Sequence, residues 1–171
     1  MAATEAVRAL EAAFARIART RMAGLPLNNP ALRVQGVGFR ALDARHQVGV
    51  LIAPWAVNLV LLADPLSRDL HLAPDRRRRW DFPSGSYEFM GGDEAECGPY
   101  QFCSLFSPAF EFDDQATAVA TAGEVMAELF GGTANRAAEQ REEGRVAGRS
   151  LMQLPTDRRA FLQGMFCGRK A

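Results

Sequence analysis

Histidine is the first thing this sequence of 171 residues has little of: His46 and His71 are the only two, each alone in a polar, turn-like setting. That scarcity excludes HExxH-type metal sites, which need paired imidazoles on one face. It also leaves Ser84, Ser86, Ser104 and Ser107 with no histidine placed to activate them. Cysteine is hardly more frequent. Cys97, Cys103 and Cys167 form no CxxC pair, and an odd number without paired spacing fits neither a disulfide framework nor a zinc ribbon. Cys103 lies in an apolar stretch and reads as a small core residue. GVGF and FMGGDE lack the Lys-Ser/Thr and the strand-to-helix context of a phosphate loop. No stretch reaches the roughly 18 apolar residues that span a bilayer. The amphipathic start, MAATEAVRALEAAFARI, has no basic region leading into an apolar one. These absences predict a cytoplasmic protein with reduced thiols, no catalytic residues, no metal, no cofactor and no membrane insertion.

What is present is enough apolar side chain for a working core, 48% of residues by count, in a chain read as one domain with a tail. The domain is placed at residues 1–132, and a polar linker with a basic C-terminal tail at 133–171. Charge follows the same division. The first part carries 12 arginines against 16 carboxylates and the second 8 basic residues against 4 acidic ones. A mildly acidic body argues against nucleic acid as a partner and suits a basic peptide.

The chain is organised around Gly49–Leu62, GVLIAPWAVNLVLL. Two apolar runs divided by Pro54 read as adjacent buried strands, with Trp55 at the corner. Before them, Val7, Leu10, Phe14 and Ile17 fall on one helical stripe within residues 4–20, with Thr4 as N-cap. LPLNNP breaks the chain, and residues 32–39 form a strand in which Gly36 and Gly38 signal a bulge. Residues 63–79, ending in Arg76 to Arg79, read as a solvated loop. Strand pieces follow at 80–82 and 87–90, an acidic loop at 91–96, and a strand at 100–106 with Phe102 and Ser104 on one face and Cys103 and Leu105 on the other. Asp113 or Asp114 caps a second helix with its stripe at Val119, Ala122, Met126 and Leu129, which Gly131-Gly132 ends. The connections are short, so the strands are antiparallel. The fold class is α+β: a two-layer sandwich with an N-terminal helix, an antiparallel sheet of four to six strands and a C-terminal helix.

Aromatic residues beside turns are interleaved with carboxylates, a pattern suited to gripping a peptide with apolar and arginine side chains. The candidate client-binding residues are Trp55, Asn58, Phe82, Tyr87, Glu88, Asp93, Glu94, Glu96, Phe106 and Glu111. The same aromatics serve equally well as the core of a small sheet. In the tail, Arg158-Arg159-Ala160-Phe161-Leu162 has the order of a twin-arginine export motif. It is either a short capped helix or a self-competing segment, with Arg158, Arg159, Phe161 and Leu162 occupying the body's own site.

Four strings in the same order, LPLNNPALRVQGVGFR, GVLIAPWAVNLVLL, WDFPSGSYEFMGG and CSLFSPAFEFDDQATAVATA, resemble the HybE/HupJ family of [NiFe]-hydrogenase assembly chaperones over roughly residues 25–131. The resemblance implies a non-enzymatic cytoplasmic accessory protein with a helix–sheet–helix arrangement like that of secretion chaperones. Its implied partner is the hydrogenase small subunit precursor carrying a twin-arginine signal peptide, with the large subunit and other maturation proteins as further candidates. Some members of the wider group carry a fused rubredoxin domain with two CxxC pairs. This chain has none, so iron binding is not carried over. The competing readings are a thiol-based redox or metal-delivery adaptor working through Cys97 and Cys103, and a hydrolase running on carboxylates alone.

Overall fold

A computed structural model describes residues 5–64 and 66–146, with side chains through residue 131. The first helix, α1, spans Glu5–Arg19 and buries Val7, Leu10, Phe14 and Ile17, the stripe expected from their spacing. Six strands follow: β1 (Gln35–Ala41), β2 (Gln47–Ala53), β3 (Ala56–Leu62), β4 (Arg77–Phe82), β5 (Gly85–Glu94) and β6 (Gly98–Phe106). A long helix, α2 (Gln115–Val146), completes the order. The six strands form one sheet in the order β1-β2-β3-β6-β5-β4, and every pairing is antiparallel. The α+β class, the strand number and the helix–sheet–helix order match the sequence expectation.

The helices take opposite faces of the sheet. Val48, Val50 and Ile52 of β2 pack with Ala118, Ala122, Met126 and Leu129 of α2. Leu51 and Ala53, pointing the other way, pack with Leu10, Phe14 and Ile17 of α1. The expected sandwich therefore has its sheet between two helical layers, three layers rather than two. Continuous apolar runs in β2 and β3 are the cause, because both faces of these central strands need cover; every residue of β3 is buried.

The sheet also curls around α2. Arg40 of the edge strand β1 lies 4.1 Å from the Phe130 ring centroid. Phe130 in turn meets the Phe82 ring of the opposite edge strand, β4, edge-on at 6.1 Å. The β1–β2 turn adds a second contact between the edges, His46 against Trp80 at 5.3 Å. Bulges help the bend. The β1–β2 register shifts between Val37 and Arg40, where Gly38 adopts φ 66°, and the β3–β6 register shifts between Val57 and Asn58.

Four local expectations change. Arg77 to Arg79, read as loop, are on β4, paired with Met90, Phe89 and Glu88; backbone pairing with β5 needs no apolar alternation at a sheet edge. The acidic loop is largely strand, since β5 continues through Glu94. The strand expected from residue 32 begins at Gln35, after Asn29 has turned the chain. Helix α2 starts where Asp114 accepts a hydrogen bond from the Thr117 amide at 2.7 Å, as a capping residue does. It then runs through Gly131-Gly132 to Val146. Glycine costs a helix interior about 1 kcal/mol but does not by itself stop it. The proposed division at residue 132 falls inside this helix, and the RRAFL segment, with Arg158, Arg159, Phe161 and Leu162, lies outside the described residues.

Candidate functional site

The ten residues singled out from the sequence do not share one groove. Phe82 and Phe106 are buried in the core beneath α2, with Phe106 packed on Phe112 at 4.8 Å. Tyr87 is half-buried, its ring 5.9 Å from that of Phe82 and its hydroxyl 2.6 Å from the Ser84 hydroxyl. These three aromatics fill the concave side of the curled sheet. Asn58 is buried on β3 between Leu51 and Ser104. Trp55 is half-buried at the β2–β3 turn and stacks on Phe14 of α1 at 5.9 Å and 9°. It closes one end of the α1 core.

Most of the carboxylates already hold arginines of the chain itself. Arg16 of α1 donates to both Glu96 oxygens and, at 2.8 Å, to Glu94. Arg21 pairs with the other Glu94 oxygen. These bonds tie the end of α1 to the β5–β6 turn, and the Arg16 guanidinium holds the Glu96 carboxyl down at about 2. Asp93 pairs with Arg68 at 3.2 Å, and Glu88 lies 3.6 Å from Arg79. Glu111 is exposed, in the loop between β6 and α2.

The two described thiols are quiet. Burial first, then the neighbouring Glu94 and Glu96 charges, push Cys97 up to about 11. Burial pushes Cys103 up to about 12. Both stay protonated at neutral pH and neither is presented as a nucleophile or soft ligand. Among the described residues no group of three or more His, Cys, Asp or Glu side chains is placed to hold a metal ion. No described helix is long and apolar enough to cross a membrane.

What the sheet does assemble is an apolar surface at one end, built on three loops that residue spacing alone does not bring together. Asn29, 6% exposed, is the clamp. Its backbone N–H donates to the Pro54 carbonyl of the β2–β3 turn at 2.7 Å. Its side-chain Nδ2 donates to the carbonyls of Ala109 and Phe112 at 2.9 and 2.8 Å, and its Oδ1 accepts from the Ala31 amide at 2.9 Å. One buried amide thus fixes the 22–31 loop, the β2–β3 turn and the 107–114 loop to one another. A second bond joins this end to α2, from the Arg33 backbone N–H to the Gln115 side-chain Oε1 at 2.9 Å.

On those fixed loops stand large apolar side chains facing water: Leu25 at 40%, Leu27 at 47% and Phe110 at 54% exposure. Phe110 lies between the two carbonyls that Asn29 binds, and Leu27 is two residues before Asn29. Trp55 lies next to the Pro54 carbonyl, and Glu111 and Asp113, both exposed, follow Phe110. Single exposed leucines need no explanation; three large apolar side chains on loops tied together by one buried amide, with the exposed Glu111 and Asp113 beside Phe110, make this end the candidate site. Of the residues expected from the sequence, Trp55 and Glu111 belong to this end. Leu25, Leu27 and Asn29 of this end are not among the residues singled out from the sequence. Their signal was a breaker segment, LPLNNP, that carries leucines where a solvated turn would carry polar residues.

Known proteins show the same fold and sequence pattern. Residues 5–164 match the family model described as [NiFe]-hydrogenase assembly, chaperone, HybE. Protein HoxT of Cupriavidus necator is 48% identical over 132 residues, covering 70% of this chain and 73% of its own. The hydrogenase expression/formation protein HupJ of Bradyrhizobium diazoefficiens is 36% identical over 161 residues, covering 94% and 89%. The solution structure of HybE from Escherichia coli superposes with a TM-score of 0.59 at 22% identity, covering 75% of this chain and 78% of that one.

Proposed function

The chain belongs to the HybE family of [NiFe]-hydrogenase assembly chaperones, and from that premise we propose that it holds a hydrogenase precursor through the apolar end formed by its three clamped loops. In this reading the client is the small subunit precursor with its twin-arginine signal peptide, held in the cytoplasm before cofactor completion and export.

The observation that carries the proposal is the exposure of Leu25, Leu27 and Phe110 on loops that Asn29 fixes in place. A surface already ordered before binding loses little conformational freedom on binding, so more of its apolar burial appears as affinity. A twin-arginine signal offers two guanidiniums followed by an apolar segment. Glu111 and Asp113, on the rim beside Phe110, suit the first and the leucines and phenylalanine suit the second. Glu94, Glu96 and Asp93 are less suited, because Arg16, Arg21 and Arg68 already occupy them.

The test is a binding titration of the purified chain with the small subunit precursor, the same subunit without its signal peptide, and the large subunit precursor. The proposal expects the signal-bearing form to bind tightest. Leu27→Ser together with Phe110→Ser should weaken it by at least about tenfold, while the melting temperature holds. Equal affinity of the wild type and the double variant for the precursor would overturn the assigned surface. Equal affinity with and without the signal peptide would overturn the assigned client feature.

A further inference from the structure

Arginine is concentrated on β4, the strand that ends the sheet order opposite β1, and the client reading does not use it. Strand β4 pairs only with β5 in the six-stranded order, so its outer backbone N–H and C=O groups have no strand partner among the described residues. Arg76 to Arg79 are all exposed there. Arg79 has Glu88 nearby at 3.6 Å. Arg76, Arg77 and Arg78 have no carboxylate within ion-pair distance among the described residues.

The edge is held rigidly. The Arg78 guanidinium carbon lies 4.3 Å from the Trp80 ring centroid. Trp80 donates its indole N–H to the Gln101 oxygen at 2.8 Å, and the Gln101 amide donates to the Leu70 carbonyl at 3.1 Å. Arg78 also reaches the Asp69 carbonyl at 3.5 Å. Arg45 is 3.3 Å from the Asp69 carboxylate and neutralises it.

We propose that the outer edge of β4 is a second docking surface, which takes an extended acidic segment of a partner protein as an added strand. Pleating places Arg77 and Arg79 on one face and Arg78 on the other. A strand laid along β4 with carboxylates at alternate positions sets two of them opposite Arg77 and Arg79, where guanidinium and carboxylate pair through two parallel hydrogen bonds. Main-chain bonds along the edge supply the rest of the affinity. Arginines serving only to keep other edges away would leave those backbone groups unused. One strand, β5, separates β4 from β6 and the Phe110 loop that follows it, and Arg77 and Arg79 pair with Met90 and Glu88 of that strand. The positive field of β4 would turn away a client's own arginines.

The experiment uses the full chain and a fluorescent peptide of about ten alternating Glu and Thr residues, followed by anisotropy. Methylating alternate backbone nitrogens of the peptide should weaken binding by about tenfold or more, since it removes edge hydrogen bonds while keeping charge. Arg77→Gln with Arg79→Gln should weaken it by about tenfold and flatten its salt dependence. Arg77→Lys with Arg79→Lys should retain part of it, and a melt identical to wild type confirms that each variant is folded. Leu27→Ser with Phe110→Ser should leave peptide binding unchanged, which separates this surface from the client site. Equal binding of the methylated peptide would reduce the edge to a charge patch and overturn the proposal. So would binding to anionic phosphatidylserine vesicles with none to the peptide, or an unchanged affinity in the glutamine variant.

Discussion

Replacing Asn29 by alanine tests whether the apolar end is a platform or a set of independent loops. The substitution removes both Nδ2 donations, to Ala109 and Phe112, and the Oδ1 acceptor of the Ala31 amide. It leaves the backbone bond to Pro54 in place. Two carbonyls and one N–H lose their partner at a site where Asn29 itself is 6% exposed. A buried group left unpaired costs about 1–3 kcal/mol, but these loops border the surface and water can reach part of the gap, so the expected total is about 2–4 kcal/mol. For a chain of this size, that corresponds to a fall in melting temperature of about 5–15 °C. Urea titration of wild type and variant gives the free energy directly. Client binding, measured well below the variant's transition, should fall as well, because the loops carrying Leu27 and Phe110 would have to be ordered on binding. Asn29→Asp makes the sharper comparison. At neutral pH the new carboxylate faces two carbonyls, so its pKa is raised on folding. Stability tied to such a group is present at low pH and is lost as pH rises through the folded value. The aspartate variant should therefore be the weakest of the three proteins at pH 7 and gain on acidification, when the protonated acid can donate to one carbonyl. A change below about 0.5 kcal/mol for Asn29→Ala, or an aspartate variant indifferent to pH, would refute the clamp.

Trp55→Ala should cost about 2–3 kcal/mol, less than the truncation of a fully buried tryptophan, because the ring is half-buried and stacked on Phe14; unchanged unfolding with lost client binding would make it a pure contact residue. Glu96 is held low, at about 2 against an ordinary 4.5, so its stabilising bond to Arg16 is present above 4.5 and lost as pH falls towards 2; wild type should lose more stability across that window than Glu96→Gln, and parallel curves would dismiss the bond. Gly91→Ala should destabilise by about 1–3 kcal/mol, since a Cβ there runs into the Leu72 carbonyl, which is backbone and cannot rotate away; an unaffected melt would show that the 63–76 segment yields. In a Cys167→Ser background, alkylation of native Cys97 and Cys103 should be slower by on the order of a hundredfold or more than that of a free thiol, and should recover in urea, because burial holds both protonated; rapid alkylation of the folded chain would reopen the thiol-adaptor reading.

Local pattern alone determined the elements whose apolar spacing is regular. The Val7–Leu10–Phe14–Ile17 stripe made α1, the runs either side of Pro54 made β2 and β3, and Gly36 and Gly38 announced the bulge in β1. The uninterrupted apolar runs of β2 and β3 also carried the sign that both faces are covered. Periodicity reports which way a side chain points, not what it meets. Glu94 and Glu96 looked like free carboxylates because their arginine partners lie at the end of α1 and just beyond it, separated from them by 73 to 80 positions. Whether Phe82 and Phe106 were client contacts or core could not be read from spacing, because the curl that buries them under α2 is a property of the whole sheet. The Arg77–Arg79 half of β4 was unreadable for the opposite reason, since an edge held by backbone bonds to β5 needs no apolar pattern. Asn29 was the least visible of all. A single asparagine in a breaker segment is unremarkable until folding brings two carbonyls from 80 and 83 positions away within reach of its amide, and only there does a polar turn residue become the fixed point of an apolar surface.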